Sequence, residues 1–158
     1  MFIKHQLDKI LVSLEVDSHD ALLVVLSKNG DLVRRGNGSP GSKLPLLQGF
    51  SAQSHFDALM MTISEDTFNY VGLYEQQPML GRTCKLMIVC NGPGDAEAGF
   101  KVLYGEDSHG PPKELVEIVI NAVKITDPWY TEEQQKLLEV SPSLNEKQML
   151  KKWWEVWK

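Results

Sequence analysis

Three histidines in this sequence stand beside carboxylates: His19 in Asp17-Ser18-His19-Asp20, His55 in His55-Phe56-Asp57, and His109 in Glu106-Asp107-Ser108-His109. An imidazole next to a carboxylate can move a proton, and several imidazoles together can ligate a metal. Each cluster flanks a predicted strand or opens a loop, so all three would share a site if they converged at one end of a sheet. None has the spacing of a known metal motif, such as two histidines one helical turn apart. Asp, Ser, His and Gly are also the residues of turns, and turn chemistry is the simpler account. The clusters therefore define an alternative reading: a small-ligand or metal-binding protein, or a hydrolase-type enzyme. It would use His19, His55 and His109 with Asp17, Asp57 and Asp107.

Other chemical signals are thinner. Gly36-Asn37-Gly38-Ser39-Pro40-Gly41 is a literal G-x-G-x-x-G after a predicted strand. The dinucleotide motif needs a helix to open at that turn, with its amides facing the pyrophosphate. Pro40, Pro45 and the serines between them forbid an immediate long helix, so the stretch reads as a flexible turn. The residues around Ser39 and Ser51 each lack a glycine that a nucleophile elbow requires. Cys90, in Val89-Cys90-Asn91-Gly92, sits at a predicted strand end and has the chemistry of a thiol nucleophile. Its parity with Ile88 makes it a packing residue instead. No catalytic centre and no cofactor are expected.

The last segment carries the most distinctive pattern. Leu150, Trp153, Trp154 and Trp157 fall at helical spacing, so one face of a predicted C-terminal helix holds three indoles, with Lys147, Lys151, Lys152 and Lys158 around it. Three buried tryptophans represent at most about 11–19 kcal/mol of apolar burial. Such a face needs a cover. The expectation is a helix that docks on its own domain, or a face for a partner or for self-association.

The elements that must position these residues follow from periodicity. Ile10, Val12, Leu14 and Val16 alternate as a strand, although residues 2–16 also fit a helical face. Ala21–Ser27 reads as a buried strand, and Lys28-Asn29-Gly30-Asp31 as a type I′ hairpin turn, with Leu32–Arg35 returning. No period survives from Gly36 to Gln53; the expectation is a loop pinned to the body by Leu44, Leu46 and Leu47. Residues 55–63 fit either strand or helix. Ser64-Glu65-Asp66 reads as a helix start, leading to a short helix through Phe68, Val71 and Tyr74. Thr83–Cys90 and Gly99–Gly105 alternate as a hairpin of strands. The helix Pro111–Ile125 then carries a polar stripe of Lys113, Glu117, Asn121 and Lys124. Asp127-Pro128 is expected to break the chain, leaving Trp129 and Tyr130 as a plug on the core with the Tyr130 hydroxyl in water. A short polar helix from Thr131 to about Val140 follows. The predicted fold class is α+β: an antiparallel sheet of about five strands covered by one main helix (Pro111–Ile125), with short C-terminal helices. The predicted domain spans 1–140, and 141–158 is the Trp-rich helix.

At 158 residues, with 42% hydrophobic and 23% charged residues, the composition is that of one globular domain. A net charge of −5 argues against nucleic acid as partner. The opening residues show no signal-peptide pattern, and no apolar run is long enough to span a membrane. Six residues along one strand separate Cys84 and Cys90 by about 20 Å, beyond disulfide reach. Both therefore read as reduced core thiols of a cytoplasmic protein. The leading expectation is a small acidic protein-binding domain, adaptor-like or immunity/inhibitor-like, acting through the Trp face or a sheet edge. A structural subunit of a homo-oligomer is a third reading.

Overall fold

The computed structural model of the chain describes residues 4–41, 43–94 and 97–140. The fold is α+β, with a seven-stranded mixed sheet in the order β4-β3-β2-β1-β6-β7-β5. The strands are β1 (Lys9–Val16), β2 (His19–Ser27), β3 (Asp31–Gly36), β4 (Leu47–Phe50), β5 (Gly72–Glu75), β6 (Thr83–Asn91) and β7 (Glu97–Gly105). The helices are α1 (His55–Met61) and α2 (Lys113–Val140), and a 3-10 turn spans Glu65–Tyr70. All described pairings are antiparallel except β5 with β7, which is parallel. The two strands beyond the expected five, β4 and β5, are four-residue edges, too short to show a period of two.

The alternating residues do face a core. Ile10 and Val12 of β1 meet Val24 and Leu26 of β2, Leu86 and Ile88 of β6, and Phe100 and Val102 of β7. Above this face lie Phe56 and Leu59 of α1, Phe68 of the 3-10 turn, and Leu115, Ile118 and Ala122 of α2. Cys84 and Cys90 are free and buried on one strand.

The turns redistribute what the sequence suggests. The type I′ geometry sits at Asp17-Ser18, whose φ values are 51° and 64°; this two-residue loop links the paired Val16 and His19. At Lys28–Gly30 the loop has three residues, with Asn29 Oδ1 accepting the Asp31 N–H at 3.0 Å, and only Gly30 takes a positive φ. A three-residue hairpin needs one left-handed position at its end, and glycine fills it.

The 36–53 segment contains β4 and is held by Pro45, which is buried; Leu46 is exposed. Residues 55–61 are helical because Ser54 caps them, its Oγ accepting the Asp57 N–H at 3.1 Å. Ser64 caps as expected, accepting from the Asp66 N–H, but that turn ends at Tyr70, and Tyr74 lies in β5.

The largest difference is at Pro128. The chain does not break there: α2 runs from Lys113 through Pro128 to Val140 as one helix, absorbing the short helix expected after Thr131. An interior proline costs a helix about 3 kcal/mol or more. Buried Arg34 lies against this turn, its Nη1 donating to the Val123 carbonyl, Thr126 Oγ1 and Asp127 Oδ1, and its Nε to the Gly36 carbonyl. Hydrogen bonds from a charged donor contribute about 1.5–3 kcal/mol each, enough to offset the proline. The Arg34 guanidinium also stacks 4.5 Å from the Tyr130 ring centroid. Tyr130 is buried rather than wet: its hydroxyl donates to the Pro45 carbonyl and accepts the Gly36 N–H.

Candidate functional site

The sheet separates the histidine clusters. The β1–β2 turn, the start of β6 and the end of β7 share one end, which holds Asp17, His19, Arg82, Glu106, Asp107 and His109. The other end holds the Lys28–Gly30 turn, where Ser51 N–H donates to the Gly30 carbonyl and α1 begins with His55. The three clusters therefore do not converge, because α1 follows β4 at the end of the sheet opposite the β1–β2 turn.

Where two clusters do approach, their polar groups are committed to the turns. Asp17 Oδ1 accepts the Thr83 N–H at 3.1 Å and its other oxygen lies 3.5 Å from Arg82 Nε. The Asp107 N–H donates to the Leu80 carbonyl at 3.0 Å. His19 Nδ1 lies 2.8 Å from the Asp17 carbonyl, and His55 Nδ1 lies 3.1 Å from that of Gln53. Asp20 pairs with Arg35, and Asp57 is exposed on α1. Among the described residues no group of three or more His, Cys, Asp and Glu side chains could hold a metal ion.

The G-x-G-x-x-G stretch opens no helix. Gly36 ends β3 at a φ of 77°, where a Cβ would run into the Ala21 carbonyl; close packing of β2 explains the glycine. Cys90 is an inert thiol, its pKa pushed up to about 12 by burial. Burial, and then the Asp17 and Glu106 carboxylates, raise that of Cys84.

A depression of about 440 Å³ opens at the Lys28 end, with Phe56 and Met60 in its floor and Lys4, Lys28, Asp57 and Glu65 at its rim. Its charges are of both signs, and of the expected site residues Asp57 lines it whereas His19, His55 and His109 do not.

The other face of the sheet is the larger feature. Phe56 and Leu59 of α1, Phe68 of the Glu65–Tyr70 turn and Leu115, Ile118 and Ala122 of α2 pack on the inner side, whereas the outward residues of β1, β2, β3, β6 and β7 are only partly buried. The register aligns Val33, Val25, Leu11 and Val89 in one row across β3, β2, β1 and β6. Leu23 and Met87 stand in the next row, flanking Ser13. All are partly exposed. The Glu15–Lys85 pair, at 3.8 Å, and the Asp20–Arg35 pair border this apolar band. A β-bulge at Ala21 returns β2 to the register that keeps Leu23 and Val25 outward.

The reading of this sequence missed that face, although β2 signals it. Leu22 to Leu26 contain no polar residue of either parity, the pattern of a strand covered on both sides. The expected face of Leu150, Trp153, Trp154 and Trp157 lies outside the described residues. No helix among the described residues is long and apolar enough to cross a membrane. No protein-family model matches the chain, and a comparison with curated proteins finds no similar sequence.

Proposed function

We propose that this chain is a small cytoplasmic protein-binding domain with no catalytic role, adaptor-like or inhibitor-like, whose interaction surface is the outer face of the sheet. The observation that carries the reading is the apolar band of Leu11, Leu23, Val25, Val33, Met87 and Val89 with charged pairs along its border. An apolar centre with a polar rim is the anatomy of a protein interface. The face bearing Trp153, Trp154 and Trp157 would add to it.

The test compares proteins retained from native lysate by the wild type and by a Val25→Lys variant with an unchanged melting temperature. A partner retained by the first and lost by the second is the expected result. Identical retention by both would remove the outer face from the function.

A further inference from the structure

We infer that residues 44–50 and 129–139 form one lid, which opens and closes as a unit over the edge of β3, hinged at Pro128 and latched by Tyr130. Three sets of contacts carry this.

The first is the hinge. Pro128 has no N–H to give to the Lys124 carbonyl, so the ladder of α2 is already interrupted at that turn. Interruptions of this kind are where helices bend. On the near side of the proline, β3 holds the helix directly: Arg34 donates to the Val123 carbonyl, Thr126 Oγ1 and Asp127 Oδ1. Leu115, Ile118, Ala122 and Thr126 are all buried on this side. On the far side the pattern changes, because no position from Thr131 to Glu139 is buried.

The second is what the far side touches. Trp129 lies over β4, since a Cβ on Gly49 would come within 2.9 Å of its ring. The Tyr130 hydroxyl donates to the Pro45 carbonyl and accepts the Gly36 N–H at 3.3 Å. Two adjacent helix residues therefore grip the segment that carries β4, one before the strand and one within it.

The third is the weakness of each part alone. β4 has four residues, stands at the end of the sheet and buries none of its own side chains. Of residues 44–50 and 129–139, only Pro45 and Tyr130 are buried, and they bind each other. Neither part of the lid can leave without breaking that bond, so the two parts open together. When they do, Asp31, Leu32, Val33 and Arg34 lose their pairing with β4. β3 then becomes an edge with open backbone groups, able to accept another strand.

The experiment is mass-resolved hydrogen exchange on the full chain, comparing the wild type with Tyr130→Phe and with a Val33→Cys/Gln48→Cys variant. Val33 and Gln48 are register partners, so oxidation of this pair ties β4 to β3 without touching α2. In the wild type, amides 46–50 and 129–134 should share one protection factor, lower than that of amides 118–126 and of β1. Tyr130→Phe keeps the ring beside Arg34 and removes both hydrogen bonds of the hydroxyl. It should speed exchange in both lid segments by the same factor, about tenfold. The oxidised cysteine pair should slow exchange in both segments, although it lies in only one of them. Protection of 129–134 equal to that of 118–126 would mean that α2 opens as a whole, and overturns the hinge. An effect of either variant confined to residues 46–50 overturns the lid as a single unit.

Discussion

At the residue scale, Arg34 and Asp127 show how unequal the partners of one ion pair can be. Arg34 is 1% exposed, whereas the Asp127 side chain is 53% exposed. Removing Arg34 leaves the Val123 and Gly36 carbonyls and Thr126 Oγ1 without their donor in a buried setting, whereas a lost carboxylate at Asp127 is replaced by water. Arg34→Ala is therefore expected to cost about 3–5 kcal/mol in urea unfolding, and Asp127→Asn about 1 kcal/mol or less. Equal losses would mean that the ion pair, and not the buried guanidinium, holds the turn. Cys90 leads to a prediction in pH. Below about pH 9 both folded and unfolded states keep its proton, so it adds no pH dependence. Above that the unfolded thiol ionises from 9.0 while the buried one holds its proton to about 12. Stability should then fall by up to about 1.4 kcal/mol per pH unit for this group. Burial raises Tyr104 and Tyr130 in the same direction, which deepens the loss. A melting temperature constant from pH 8 to 11 would contradict the burial of Cys90 and Tyr130. Legibility at this scale was mixed. The parity of Cys90 with Ile88 gave away its burial, but nothing local in Leu32-Val33-Arg34-Arg35 says that one arginine points inward and the other outward until the strand's parity is fixed.

At the element scale, long alternating strands were readable and short or tertiary-held elements were not. β6 and β7 carry enough alternation to fix face and approximate length, β1 alternates although residues 2–16 also fit a helical face, and β2 is apolar at both parities and reads only as a buried strand. β4 and β5 have four residues each, and pairing with β3 and β7 makes them strands. Pro128 is the instructive miss, because the signal was read correctly and then overruled by Arg34, which stands 94 residues earlier in the sequence. The proline side chain is exposed, so replacing it removes little packing. Pro128→Ala should restore a helical N–H and raise stability by about 1–3 kcal/mol. A fall in stability would show that Arg34 binds a local distortion that the proline creates. Ser54→Ala tests the other helix at a smaller scale. Losing the oxygen that accepts the Asp57 N–H should cost about 1 kcal/mol, measured by the same unfolding curve.

For the whole molecule, the consequential asymmetry is that the described helices pack on one side of the sheet. The sequence made the covered side legible through its period of two. The other side was hidden because a strand apolar on both faces looks merely hydrophobic, and the charged pairs at its border connect residues far apart in the chain. This asymmetry predicts a gradient of hydrogen exchange. β1 is hydrogen-bonded on both sides, to β2 and to β6, so its amides should open only with global unfolding. β4 and β5 end the sheet and should exchange first, by local opening. Mass-resolved exchange separates these classes directly, the central strand giving one slow population and the edges a fast one. Equal rates in β1, β4 and β5 would mean that the sheet opens as a single unit, with its four-residue edges no weaker than its centre.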